Sequence, residues 1–266
     1  MASNDLEARR LKSLREFVIG EARQDFDERY GKDFEFPAAV ALICAYEEEG
    51  AIGDVLDKMP TEACGLPLLT LVVVDGDTDA TAQIAREKGA TVLVFPTNLG
   101  HGVALWEGYR LCIEKGATYC VTLDADGQND PGEIPVMLEP LVDNEADFVV
   151  ASRRLGQDNT TDKTRKAGVV FFSTIMNKMT GANLTDTSNG YRALRVTMLA
   201  DVVDRLVQEQ YQTAELLITC LKRGWRVTER PTQWYPRQAG TTKKGKNWLF
   251  GFRYARVVFG TWWRER

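Results

Sequence analysis

The 266-residue chain predicts an α/β protein in which a mostly parallel, twisted sheet is flanked by helices. Three observations carry this. Short apolar runs alternate with helix-patterned stretches, turn residues bound the runs, and polar clusters stand directly after them. Hydrophobic residues make up 44% and charged residues 27%, which supports a packed core rather than disorder.

Residues 4–30 are dense in charge, with apolar positions Leu6, Leu11, Leu14, Phe17, Val18 and Ile19, and read as part of an amphipathic helical extension over 1–36. After Pro37 the run Ala38–Ala45 suits a strand buried on both faces. A helix over Glu48–Met59, a strand over Leu68–Val74 and a helix from Asp77 to Lys88 follow. The strand Thr91–Phe95 leads to a helix from Gly102 to Lys115, and the strand Tyr119–Leu123 stops at Asp124. A helix from Gly132 to Asn144 and a strand Asp147–Ala151 complete the regular half. Beyond it come a helix over Thr164–Thr180, a polar loop Leu184–Gly190, a helix Tyr211–Lys222 and a strand Arg226–Glu229. Residues Thr232–Arg237 read as a loop. The tail Asn247–Arg264 sets Trp248, Phe252, Ala255, Phe259 and Trp262 in one helical stripe, interrupted by Gly251 and Gly260. The expected division is an extension over 1–36, a central domain over 37–245 and a basic, aromatic, amphipathic helix over 246–266.

The net charge of −5 argues against nucleic acid as a partner. Charge is uneven, however: from Arg237 onward eight Lys/Arg stand against one acid, which points to a local anionic partner. Five scattered cysteines without CxxC spacing read as buried, reduced thiols of a cytosolic protein. The N-terminus lacks the apolar core of a signal peptide, and no apolar run is long enough to cross a bilayer.

In parallel sheets ligands bind beyond the carboxyl ends of the strands. Those ends carry Tyr46-Glu47-Glu48, Asp75-Gly76-Asp77, Asn98-Leu99-Gly100-His101-Gly102 and Asp124-Ala125-Asp126-Gly127-Gln128. A turn at Asp126-Gly127 can bring two carboxylates to one point, where they suit Mg²⁺ or Mn²⁺ on a diphosphate, with the Gln128 amide oxygen as a further ligand. On its own the same pentapeptide is also an ordinary Asp-rich turn, and Glu47–Glu49 also suit a helix start.

The strand-end segments resemble family 2 glycosyltransferases of the GT-A (Rossmann-like) fold, especially polyprenyl- or dolichyl-phosphate mannose and glucose synthases. The likeness continues through Val149-Val150-Ala151-Ser152-Arg153, Asp186-Thr187-Ser188-Asn189-Gly190-Tyr191-Arg192 and Gly240-Thr241-Thr242-Lys243. The resemblance implies that Ala45, Tyr46, Glu48, Gly100, His101 and Ala125 line the nucleotide-sugar pocket, and that Asp75 holds the base or ribose. The acidic residue usual one position earlier is Val74 here. It implies that Asp124, Asp126 and Gln128 hold the metal, that Arg153, Arg165 and Lys243 position phosphates, and that Glu215 is the acid on the acceptor-side helix. Arg192 is a further candidate cation.

The implied reaction is inverting transfer of a hexose from a nucleotide-diphosphate sugar, GDP-mannose or UDP-glucose in type. A hydroxyl acceptor needs a general base; a lipid phosphate is already an anion and needs cations instead. The cations outnumber any evident base, which favours a polyprenyl phosphate. The aromatic, basic tail suits either a membrane surface or packing on the protein. Expected is a cytoplasmic protein, peripheral at the cytoplasmic face of a membrane, and a homo-oligomer is compatible with the sequence. The rival readings are a family 2 enzyme acting on a soluble or glycan hydroxyl, a nucleotidyltransferase and a catalytically silent nucleotide-sugar-binding protein.

Overall fold

The computed structural model of the protein describes residues 2–237 and 247–266. In chain order its elements are α1 (Ala2–Tyr30), β1 (Ala39–Ala45), α2 (Ile52–Leu56), a two-residue β2 (Glu62–Ala63), β3 (Leu66–Asp75), α3 (Thr81–Glu87), β4 (Thr91–Phe95) and α4 (His101–Glu114). Then come β5 (Tyr119–Asp124), α5 (Ile134–Val142), β6 (Phe148–Asp158), α6 (Lys163–Thr180), β7 (Arg192–Arg195), α7 (Val196–Val202), α8 (Gln212–Lys222), β8 (Val227–Trp234) and α9 (Asn247–Arg264).

Among the described residues the sheet runs β3-β1-β5-β7-β6-β8, and both β2 and β4 pair with β3. β1 is parallel to β3 and β5, β4 to β3, and β8 to β6. β7 alone runs against both of its neighbours in the middle of the sheet. The expected mostly parallel sheet is therefore present, with β7 reversed in its middle and the two-residue β2 antiparallel to β3, neither of which the sequence suggested.

β1 shows why the core has two halves. All seven of its residues are buried, and the period of two sends alternate side chains to opposite faces. Val40, Leu42 and Cys44 join a cluster with α1, α4, α8 and α9. Ala39, Ala41, Ile43 and Ala45 join a cluster with α2, α3 and α5. Four of the five cysteines are buried as expected, while Cys64 is exposed.

Several boundaries differ from the sequence reading, each for a local reason. The helix expected over Glu48–Met59 covers only Ile52–Leu56. Glu47 takes a left-handed φ of 51°, and the next two residues are tied sideways: Glu48 N donates to Thr81 Oγ1 and Glu49 N to Asp79 Oδ2. β6 continues past Ala151 to Asp158, and β8 takes in Thr232–Trp234, which read as loop. The two strands cross so closely at Gly156 that a Cβ there would lie 2.2 Å from the Thr232 carbonyl oxygen. Pro231 is tolerated because β8 is the last strand of the sheet, where a missing N–H costs no ladder bond.

The terminal helices both dock. α1 buries Val18, Ala22 and Phe26, pairs Arg23 with Glu107 and Glu114, and accepts the Val92 N–H on the Tyr30 hydroxyl at 2.9 Å. α9 buries Tyr254, Val257, Val258 and Thr261, and the Trp262 indole donates to the Met179 carbonyl at 2.8 Å. The packed face of α9 thus coincides only in part with the stripe singled out in the sequence, through Trp262. Phe252 and Phe259 of that stripe face outward, joined by Trp263. The side chain of Trp248 lies outside the described residues.

Candidate active site

β5 delivers Asp124 between β1 and β7, and the chain then turns at Gly127 with φ of 72°, a conformation that favours glycine. The turn is closed by Gln128 N donating to Asp126 Oδ1 at 3.1 Å. The Asn129 amide oxygen accepts the Asp124 N–H at 3.3 Å. Asp124 and Asp126 are both half-buried. The segment Asp186–Tyr191 abuts Asp124: a Cβ on Gly190 would meet Asp124 Oδ1 at 3.4 Å. Gln128 is anchored by exchanging hydrogen bonds with the main chain of Tyr235, its Nε2 donating at 3.1 Å. That orientation spends the amide nitrogen and leaves the oxygen as the atom suited to a cation.

A residue that the sequence reading passed over stands here. Arg237, just beyond β8, pairs with Glu48 and lies 3.6 Å from Asp126 Oδ2. Carboxylates from two separate strand ends thus meet at one cation. Among the described residues no three His, Cys, Asp or Glu form a metal-binding group. The chain supplies two carboxylates and an amide oxygen, a hard-oxygen set that fits Mg²⁺ or Mn²⁺ when diphosphate and water complete the coordination.

Asp75 has a different environment from the one expected. It is 3% exposed and accepts the N–H groups of Leu99 at 2.6 Å and Gly100 at 2.9 Å. Burial raises its pKa, and the two N–H groups and His101 partly offset this. Its carboxylate therefore shapes the loop before α4. Val74, at the departure from the family pattern, is buried in the core. At Gly76 (φ 117°) a Cβ would lie 3.3 Å from the Tyr46 ring and 3.2 Å from Asn98 N, so these three residues converge. His101 opens α4 and is exposed. Gly102 has no room for a side chain, since a Cβ would lie 2.3 Å from the Gln208 carbonyl oxygen. Ala45 and Ala125 are buried at the ends of β1 and β5.

The cations divide into two kinds. Arg153, on β6, is 5% exposed and forms a two-pronged pair with Asp186, Nε at 2.6 Å and Nη2 at 2.8 Å, with Ser188 Oγ a further acceptor at 2.8 Å. Such planar pairs are strong and directional. Arg165, on α6, has no carboxylate partner among the described residues. Burial and the positive charge of Arg153 both lower its pKa, against the pull of Asp158, Asp124 and Asp186. Asp124 also acts on Arg153, which ties both guanidiniums electrostatically to the carboxylate turn. Both lie over the ring of Trp234, Arg153 at 5.0 Å and Arg165 at 4.8 Å.

Two expected residues are not brought to this centre, and a third lies outside the described residues. Glu215 is fully buried, and its carboxylate accepts from Val207 N at 3.0 Å, Gln208 N at 2.9 Å and Arg264 at 2.9 Å. It ties α8 to the loop before it and to α9, a correction to its expected catalytic part. Arg192 is fully buried and donates to the carbonyls of Asn189, Thr187 and Thr213, so it holds a loop rather than a phosphate. Lys243, with its Gly240–Lys243 motif, lies outside the described residues. Asp186, Trp234 and Arg237 were missed. Asp186 stood inside a recognised motif, and Trp234 and Arg237 in a stretch that read as loop.

The model of Glycosyl transferase family 2 matches residues 40–203. The dolichyl-phosphate hexose transferase of Haloferax volcanii is 31% identical over 211 residues, covering 79% of this chain and 88% of its own. The undecaprenyl-phosphate mannosyltransferase of Micrococcus luteus is 32% identical over 182 residues, covering 65% and 74%. The crystal structure of glucosyl-3-phosphoglycerate synthase from Mycobacterium tuberculosis, in complex with Mn²⁺, UDP and glucosyl-3-phosphoglycerate, superposes with a TM-score of 0.67 at 18% identity. It covers 91% of this chain and 83% of that one, a likeness of fold.

Proposed function

This chain belongs to glycosyl transferase family 2, and we propose that it transfers a hexose, with inversion, from a GDP-mannose- or UDP-glucose-type donor to a polyprenyl (dolichyl) phosphate. The observation that carries the acceptor is Arg165: a half-buried cation with no carboxylate partner among the described residues, within electrostatic reach of a second cation and sharing the Trp234 ring with it. Taking a charge partly out of water without a partner is unfavourable, and an anionic acceptor would supply that partner. The names of the Haloferax and Micrococcus relatives support the same acceptor class.

The chemistry follows from the two halves of the site. An acceptor phosphate oxygen attacks the anomeric carbon opposite the donor diphosphate; the new C–O bond forms as the bond to the diphosphate breaks. No proton leaves the acceptor, so no general base is required, in keeping with the buried, fully engaged Glu215. Asp124, Asp126 and Gln128 would hold Mg²⁺ or Mn²⁺, whose chemistry there is to offset charge on the leaving diphosphate. Tyr46, Glu48 and the Gly100–Gly102 turn flank the nucleotide. Arg153 and Arg165 orient the acceptor phosphate and offset its repulsion from the donor.

Among the described residues no helix is long and apolar enough to cross a membrane. The outward face of α9 carries Phe252, Phe259 and Trp263 with Arg253 and Arg256, and α6 exposes Val170 and Phe171 nearby in the chain's basic half. Aromatic and basic residues together suit an anionic bilayer surface. On this reading the protein works peripherally at the cytoplasmic face of a membrane. The deciding experiment offers radiolabelled GDP-mannose and UDP-glucose, with Mn²⁺, to polyprenyl phosphate and to simple sugars. Label moving to sugar hydroxyls and not to lipid would replace this reading with the hydroxyl-acceptor one, and no transfer from either donor would favour a silent binding protein.

A further inference from the structure

We propose that Trp234 is a positioning residue for the acceptor phosphate: its ring holds the Arg165 guanidinium beside Arg153 so that one anion meets both. This rests on the acceptor reading above and adds the part that keeps two like charges together.

Arg153 needs no help, because Asp186 fixes it through two nitrogens and its own backbone N–H. Arg165 has no such clamp. Asp162 accepts only its main-chain N–H, at 2.9 Å, as the cap of α6. Asp158, the nearby carboxylate, is taken by Thr160, through N–H at 2.9 Å and hydroxyl at 2.6 Å, and by Lys166 at 3.7 Å. Repulsion from Arg153 would push a free guanidinium towards water. What Arg165 rests on is the indole face, which attracts cations and does so most strongly when both are shielded from solvent.

The platform itself is rigid. Trp234 is 3% exposed and ends β8 opposite Asp158, with its carbonyl accepting Asn159 N–H at 3.0 Å. The side-chain-free crossing at Gly156 lets β6 and β8 close to that distance. The indole N–H is buried and has no acceptor among the described residues. A hydrogen bond therefore does not account for a tryptophan here, whereas a ring with a guanidinium over it from each of two elements does.

The test measures binding of farnesyl phosphate, and of farnesol as a control, to the full chain by titration calorimetry without donor. Arg165→Ala and Trp234→Leu are each expected to weaken farnesyl phosphate about tenfold, the scale of one desolvated cation–π contact. Trp234→Phe, which keeps a ring, should stay within about twofold. The double variant Arg165→Ala/Trp234→Leu should bind no more weakly than Arg165→Ala alone, because the tryptophan acts through the arginine. Farnesol binding should not change. Additive losses, wild-type binding by Trp234→Leu, or an equal loss for farnesol would overturn the assignment while leaving the acceptor reading in place. Wild-type binding by Arg165→Ala would overturn both. Should Trp234→Leu fail to fold, Trp234→Met takes its place in the same cycle.

Discussion

The Arg153–Asp186 pair offers the sharpest test of how the cationic half is built. In Asp186→Asn the side chain keeps its shape but loses its charge. Asp186 is fully buried and Arg153 nearly so, so the guanidinium would stay in place without a counter-charge. The same carboxylate also accepts from the Ser188 N–H and hydroxyl. Removing one partner of a buried pair costs about 3–5 kcal/mol. For 266 residues the unfolding entropy is about 0.56 kcal/mol/K, at about 2.1 cal/mol/K per residue. A loss of about 4 kcal/mol then lowers Tm by about 7 °C. Thermal unfolding followed by circular dichroism reads this directly. The apolar double replacement Arg153→Met/Asp186→Leu should recover most of the loss, because no charge is left buried. A fall below about 2 °C in Asp186→Asn would refute the reasoning. A double variant as weak as the single would assign the cost to loop packing instead of charge.

Four further outcomes are expected. Asp126→Ala should cut metal-dependent sugar transfer by about a hundredfold or more with the far-ultraviolet spectrum unchanged; undiminished transfer would remove Asp126 from the site. Gly156→Ala should lower Tm by about 2–6 °C, since its Cβ would strike the main chain of Thr232. Asp147 is clamped by Arg226 and Arg195, and these hydrogen bonds hold its carboxyl below the ordinary 3.8. Its stabilisation is therefore present above that value and lost as pH falls below it, so the Tm gap between wild type and Asp147→Asn should be steady near neutrality and close in acid; a gap that persists in acid would contradict this. Changing Phe252, Phe259 and Trp263 together to serine should reduce sedimentation with phosphatidylglycerol vesicles and leave Tm unchanged, as all three are exposed. Unaltered vesicle binding would remove α9 from the membrane reading.

Where one physical signal dominated, the sequence was legible. The run Thr91–Phe95 is a strand over the expected residues, and Asn247–Arg264 is one helix despite Gly251 and Gly260. Clusters at the ends of β1, β3, β4 and β5 pointed to the proposed donor side, because parallel strands present their ends together. What stayed hidden depended on partners far along the chain. β7 is four residues, Arg192–Arg195, and its arginines masked a strand whose flanking partners lie in β5 and β6. Asp186 lies 33 positions from Arg153, so nothing local tells a clamped cation from an open one. Glu215 looked catalytic by its place on a helix, but its burial depends on a loop and on Arg264, 49 positions away. The apolar stripe of the tail contributed only Trp262 to the packing face, whose buried residues turned out to be Tyr254, Val257, Val258 and Thr261.

The buried carboxylate of Glu107 bears on how such a protein can be cut and recombined. It sits on α4, inside the stretch matched by the family, while its counter-ion Arg23 is supplied by α1 from outside that stretch. Trp234 likewise lies beyond residue 203, and the two arginines it carries lie before it. A chimera that exchanged residues 40–203 with those of a relative would graft one parent's cations onto the other's aromatic ring and strand Glu107 against a foreign helix. For this chain the unit of inheritance is longer than the unit of resemblance.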